Sequence, residues 1–183
     1  MKESKWKFEE LSAVVVSAGP GSYTGLRIGV SAAKGICYAA QLPLIAIDTL
    51  EALASGFASQ PKTHNPKPET ICAVFDARRD EVYYGIWNSK GVTVSGSRAA
   101  LLNEEFKNSI KNIDGKISFV GDGAKKVNEF LSDSKNSFHH EFKTSAKYLL
   151  PIALKKFNEK DFVDVAYFEP NYIKPFYFAE KKK

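Results

Sequence analysis

Cysteine, methionine and histidine are all scarce in this chain: two, one and three among 183 residues. Cys37 and Cys72 stand far apart and form no Cys-x-x-Cys pair. They supply neither a disulfide framework nor a thiolate metal site, and they read as reduced, buried small hydrophobes. His64 falls in a proline-rich stretch, and His139 and His140 are adjacent, so neither His-Glu-x-x-His nor His-x-x-x-His spacing occurs. No metal is expected. A Gly-x-Ser-x-Gly nucleophile elbow is also lacking, and no catalytic residue is nominated. There is no run of 18 apolar residues to cross a membrane as a helix, and the opening "MKESKWKFEE" lacks the apolar centre of a secretory signal. A cytoplasmic protein is the expectation. The net charge of +5 is spread along the chain, which argues against a dedicated nucleic-acid grip. The closing "EKKK" reads as a solvated tail.

What is present is an alternation of buried strands and helices. "LSAVVVSAG" (Leu11–Gly19) is short, β-branched and nearly all apolar, so it predicts a strand buried on both faces, as in a parallel sheet. A Gly-Pro-Gly-Ser turn follows, then a helix from Thr24 to Ala40 that Ser22 or Thr24 can cap. "LPLIAIDTL" (Leu42–Leu50) predicts a second strand and "LEALASGFA" a second helix, the order of a parallel crossover unit. Residues 1–58 therefore read as a partial first subdomain, and the proline-rich "SQPKTHNPKPE" (Ser59–Glu69) as a linker. Residues 70–183 read as a second subdomain. It opens with strands Thr70–Asp76, Glu81–Trp87 and about Gly91–Ser97, meandering antiparallel about an Asn88–Gly91 hairpin turn. A helix from an Asn103 cap, the strand "ISFVGDGA", helices Ala124–Leu131 and Ser145–Asn158 and an extended piece Asp161–Phe168 complete it. The end, "EPNYIKPFYF", is expected to lie extended, packed by Tyr172, Ile173 and Phe176.

Three stretches invite a chemical reading. In "SAGPGSYTGLRIGVSAAKG" the glycines Gly19, Gly21 and Gly25 are one residue too widely spaced for a dinucleotide fingerprint, and Gly25 is not followed by Lys-Ser/Thr. A turn feeding a helix still offers weak phosphate contact through Gly19, Gly21 and Ser22. The following helix carries small residues instead: Gly25, Gly29 and Ala33 at i, i+4, i+8, with Ala32, Gly35, Ala39 and Ala40. Glycine inside a helix costs about 1 kcal/mol against alanine, and close approach of another backbone is the usual compensation. That neighbour is either this chain's own sheet or another chain. Arg27, Ser31, Lys34 and Tyr38 form a second, more polar stripe. In "FDARRDEVYYGIW", Asp76, Asp80 and Glu81 look like metal carboxylates, but Arg78 and Arg79 among them would neutralise the cluster, so a solvated turn is expected. "GDGA" offers Gly121 and Gly123 for weak phosphate contact, or simply a turn with Asp122 at the next helix start.

These stretches together resemble the bacterial TsaB (YeaZ) family. The resemblance rests on "SAGPGSYTGLRIGVSAAKGICYAAQLPLIAIDTLEALA", "VFDARRDEVYYGIW", "FVGDGA" and "PNYIKP", from about Leu11 to Pro175. It implies an α/β, actin-like ATPase, ribonuclease H-like duplicated fold, with the first half shortened and the second complete. It implies a catalytically degenerate, once glycoprotease-labelled subunit that binds and activates a TsaD-type threonylcarbamoyl transferase in making threonylcarbamoyladenosine in tRNA. A TsaE-type ATPase and a homodimer are the further partners implied, with tRNA met only through the complex. Carried onto this sequence, the docking residues are Thr24, Gly25, Arg27, Ile28, Gly29, Ser31, Ala32, Lys34, Gly35 and Tyr38. The family's opening strand and Asp-Thr-Ser turn have no counterpart here. No cofactor is therefore expected, with at most weak ATP or ADP contact. Strand Leu11–Gly19 is left with an apolar edge that invites another chain. The rival reading is an actin-like-fold ATPase or kinase-like enzyme; a protease and a direct tRNA-binding module are weaker rivals.

Overall fold

Three consecutive valines begin the first strand, β1 (Val14–Gly19), and it pairs in parallel with β2 (Leu44–Asp48) in the register Val14↔Leu44 to Ser17↔Ile47. The structure is a computed structural model describing residues 7–60, 70–132 and 135–174. Most of the expected linker, from residue 61 to 69, lies outside these residues, as does Phe176. The crossover between the strands is α1 (Tyr23–Ala40), as the crossover pattern predicts. Ser22 is its cap, accepting from the Gly25 N–H at 3.3 Å, and Gln41 closes it in the left-handed region. One expectation is corrected here: β1 is half-buried, not buried on both faces, because β2 is its only ladder partner among the described residues.

Asp48 ends β2 by capping α2 (Thr49–Ala58), accepting from the N–H groups of Leu50 and Glu51. The second strand is thus shorter than the apolar run suggests, since Thr49 and Leu50 already belong to the helix. α2 is buried on nearly every side and lies between two sheets. Gly56 lets the Tyr148 ring come so close that a Cβ there would stand 2.3 Å from it.

The second sheet has the order β5-β4-β3-β6-β7, built from β3 (Thr70–Asp76), β4 (Glu81–Asn88), β5 (Thr93–Leu101), β6 (Ile117–Val120) and β7 (Ser137–His139). β3, β4 and β5 meander antiparallel as predicted, while β3, β6 and β7 run parallel. One face, through Cys72, Val74, Tyr84 and Phe119, packs on α3 (Glu104–Lys111) and α4 (Ala124–Leu131). The other, through Ile71, Ala73 and Trp87, packs on Leu50, Leu53 and Phe57 of α2.

The expected helix Ser145–Asn158 is two pieces: a 3-10 turn over Ala146–Leu149, then α5 (Leu150–Asn158) with Pro151 in its first turn. Proline brings no N–H, so the regular ladder starts where none is needed. Ala153 and Ile152 of α5 pack against Ile45 and Ile47 of β2. Beyond it Val163 makes a single antiparallel bridge to Leu44, and the expected extended piece Asp161–Phe168 is broken by a turn over residues 165–167, where the Phe168 N–H donates to the Asp164 carbonyl at 2.9 Å. The Asn171 N–H reaches the Ala18 carbonyl at 2.7 Å, and the Tyr172 ring leans on Tyr23 with centroids 4.8 Å apart.

Candidate functional site

The 18 residues of α1 divide into three faces. Val30, Ala33 and Cys37 are buried, and Ala33 and Cys37 pack with Val14, Val16 and Leu44. Arg27, Ser31 and Tyr38 keep to a second face, with Tyr38 85% exposed. Lys34 shares that face, but its ammonium is held within the chain, donating to the carbonyls of Ala166 and Phe168 at 3.0 Å each. The third face carries Gly25, Ile28, Gly29, Ala32, Gly35 and Ala39, all exposed, with Ile28 at 66%. Thr24, at the start of the helix, is exposed too.

This arrangement divides the small residues: Ala33 packs on this chain's own sheet, while Gly25, Gly29, Ala32 and Gly35 are exposed. The stripe Gly25, Gly29, Ala33 is not one surface: Ala33 belongs to the core and the glycines do not. A Cβ built at Gly29 or Gly35 would have no atom within 4 Å, so among the described residues no element approaches either glycine. Phe8, 46% exposed, and Glu9 join Ala32, Gly35, Ile36, Ala39 and Leu42 around a largely apolar groove of about 630 Å³ beside the helix. An apolar helix face of this kind marks a place where another surface can pack.

A second feature forms where the two sheets meet. A cleft of about 780 Å³ is walled by the Pro20–Leu26 turn and helix start, by Phe75–Arg78 after β3, and by Tyr83, Asp122, Ser17, Thr49 and Thr144. The three motifs that stood far apart in sequence therefore converge on one wall-to-wall space. Ser22 and Gly21 are exposed in it, and the Ser22 hydroxyl is occupied by the Gly25 N–H. The Thr49 hydroxyl is buried with no hydrogen-bond partner, beside a smaller adjoining cavity lined by Thr144 and Ser145.

The glycines offered for phosphate contact are committed to the fold. Gly121 lies at φ +111°, where a Cβ would sit 2.4 Å from the Val74 carbonyl oxygen, and its N–H donates to His139. The Gly123 N–H donates to that same Val74 carbonyl. Gly19, also at φ +111°, is pressed against the Asn171 carbonyl.

The acidic turn is neutralised by a residue the sequence reading missed. Arg78 and Arg79 do not pair with the carboxylates; Lys126 of α4 does, donating to Asp76 at 2.5 Å and to the carbonyls of Arg79 and Glu81. Lys174 pairs with Glu81 and lies over the Tyr83 ring. Asp122 does not cap α4 either: its carboxylate accepts from the Asp76 N–H at 3.1 Å. Burial alone would raise the Asp76 carboxyl, but the Lys126 ammonium and the Arg78 N–H outweigh it and hold it below the ordinary aspartate value. Lys126 and Lys174 lie dozens of residues from their partners, so no local pattern could have found them. Among the described residues no group of three histidine, cysteine, aspartate or glutamate side chains could hold a metal ion.

Comparison with known proteins places this geometry. The family model for TsaD, tRNA N6-adenosine threonylcarbamoyltransferase, matches residues 1–174. The tRNA threonylcarbamoyladenosine biosynthesis protein TsaB of Escherichia coli is 29% identical over 180 residues, covering 90% of this chain and 71% of that protein. The Bacillus subtilis protein of the same name is 40% identical over 82 residues, 45% of this chain and 33% of its own length. A crystal structure from Pseudomonas aeruginosa, described as similar to peptidase YeaZ, superposes with a TM-score of 0.76 at 21% identity. It covers 94% of this chain and 78% of that one. The architecture shared with it is the actin-like α/β fold expected above.

Proposed function

The chain belongs to the TsaD family, among its TsaB members, and from that premise we propose that it is a non-catalytic subunit in threonylcarbamoyladenosine modification of tRNA. It binds a TsaD-type catalytic subunit through the outer face of α1 and supports that subunit's activity. A TsaE-type ATPase is the further partner, tRNA is met through the complex, and the assembly works in the cytoplasm. The role in threonylcarbamoyladenosine synthesis follows from the similarity to the TsaB proteins of Escherichia coli and Bacillus subtilis. The observation that carries the docking mode is the exposed small and apolar face, with no described residue of this chain within 4 Å of where Gly29 and Gly35 side chains would stand.

The reading is tested by light scattering on the chain mixed with the TsaD-type subunit of the same organism. A defined complex is expected, and Ala32→Arg should abolish it while leaving the circular dichroism and melting curve unchanged. Absence of any complex with the unaltered chain overturns the docking role.

An ATPase reading has one observation behind it, the cleft between the sheets. Against it, the N–H groups of Gly121 and Gly123 already serve carbonyls of the fold, and Lys126 is held by Asp76. ATP turnover above the buffer rate would favour it over the subunit role.

A further inference from the structure

We propose that the polar stripe of α1 is the release handle of a latch across the cleft: a partner surface bearing carboxylates takes up Lys34 and Arg27, residues 169–174 let go, and the two sheets part. α1 thereby gains a second task, which rests on its reading as a docking helix, since the stripe adjoins the exposed small-residue face.

The latch is made by two residues. The Tyr172 ring leans on Tyr23 with centroids 4.8 Å apart, while Lys174 pairs with Glu81 and lies 5.3 Å from the centre of the Tyr83 ring. Tyr23 of α1 and Tyr83 of β4 line opposite walls of the cleft. Even fully extended, two residues of chain span only about 7 Å. The walls are tied by a bridge of that length, and they separate only when Tyr172 or Lys174 lets go. Asn171 seats the bridge: its N–H donates to the Ala18 carbonyl at 2.7 Å, and its own carbonyl lies where a side chain at Gly19 would stand.

The handle holds that same segment. Lys34 donates to the carbonyls of Ala166 and Phe168 at 3.0 Å each, just before the latch. The Arg27 guanidinium lies 5.5 Å from the centre of the Tyr23 ring, the ring that Tyr172 leans against. Val163, Val165 and Phe168 pack into the core beside α1 and β2, so the Phe168 carbonyl is the pivot and residues 169–174 are the part that swings. α1 contains no aspartate or glutamate. Among the described residues no carboxylate pairs with Arg27 or Lys34, and Asp164 accepts instead from the N–H groups of Ala166 and Tyr167. A carboxylate offers these cations a full negative charge where the fold offers carbonyl dipoles and a ring face. That complementarity selects an acidic protein surface as the occupant.

The test uses the whole chain with nitroxide labels on Gly21→Cys and Asp80→Cys, exposed positions on either side of the cleft; Cys37 and Cys72 are buried and stay unlabelled. Ser31→Glu supplies a carboxylate one turn from Lys34 with no partner present, and Ser31→Gln is its control. Ser31→Glu should lengthen the label separation and raise exchange of the Asn171 amide about tenfold or more, leaving the Val14 amide unmoved. Ser31→Gln should do neither. Adding the TsaD-type subunit of the same organism to the chain with Ser31 intact should reproduce both changes. A complex in which label separation and Asn171 exchange stay unmoved overturns the proposal, and the docking role stands. Release by Ser31→Glu in a chain that forms no complex upholds the latch and overturns the docking role. Unmoved values in Ser31→Glu with no complex overturn both.

Discussion

Lys126 holds a turn together with one ammonium, reaching Asp76, the Arg79 carbonyl and the Glu81 carbonyl at once. The turn needs holding, because Arg78 and Arg79 both sit in the left-handed region at φ 69° and 46°. Lys126→Met should lower stability by about 1–2 kcal/mol at pH 7, mostly through the two orphaned carbonyls. The ion-pair share is small because the Asp76 side chain is 46% exposed. Asp76 is held below its ordinary value in the fold. Its contribution is therefore full at neutral pH and is lost as pH falls below the usual aspartate value of about 3.9. Urea midpoints at neutral and acid pH should show a smaller acid-side drop in Lys126→Met than in the unaltered chain. The glycines separate as sharply. Gly29→Ala meets open space in a helix and should stabilise by about 1 kcal/mol. Gly121→Ala forces a Cβ onto the Val74 carbonyl at positive φ and should cost about 3 kcal/mol. Equal melting temperatures for the two variants would contradict both assignments.

At the scale of elements, Asp48 joins three of them: it ends β2, caps α2 and accepts the Ser97 hydroxyl of β5 at 2.8 Å. Burial raises its carboxyl above the ordinary value despite those hydrogen bonds. A raised acid contributes stability below its unfolded value and loses it as pH climbs through the folded one. Asp48→Asn keeps an acceptor for the cap and removes the half-buried charge. It should match or exceed the unaltered chain at pH 7, with the difference closing below about pH 4. Asp48→Ala loses the cap and should cost about 1–2 kcal/mol at either pH. Thermal melts of the three proteins at both pH values check this. The same residue shows what was legible in the sequence. "LPLIAIDTL" reads as a strand with a correct centre, because its apolar run is local information. Its end is misplaced although the signal is local: Asp48 accepts from the Leu50 and Glu51 N–H groups, and the apolar run continuing past it hid the cap. Likewise the valines of β1 announce a strand. Whether a strand is buried on both faces depends on what pairs with it, and that is not written in the strand. The hairpin Asn88–Gly91 and the caps Ser22 and Asn103 were legible because their partners lie within four residues.

Over the whole molecule, the cleft and the C-terminal segment were the least legible features, since both are made by residues far apart in sequence. The motifs around Ser22, Asp76 and Asp122 became one site only when α2 brought two sheets face to face. The segment after α5 then returns across that junction. Val163 bonds to Leu44, Asn171 to Ala18, and Lys174 to Glu81 at the start of β4, so one strap touches both sheets. Lys34 is its central anchor, because its ammonium satisfies the carbonyls of Ala166 and Phe168 together. That makes Lys34 a residue of the fold as well as of the α1 surface, and the two roles separate experimentally. Lys34→Met should leave α2 and the second sheet as protected from hydrogen exchange as before, while exchange over residues 163–171 rises about tenfold or more. A variant acting only at a docking surface would change complex formation and leave that segment's exchange unmoved. A uniform rise over the entire chain would instead make the strap part of one cooperative unit with both sheets.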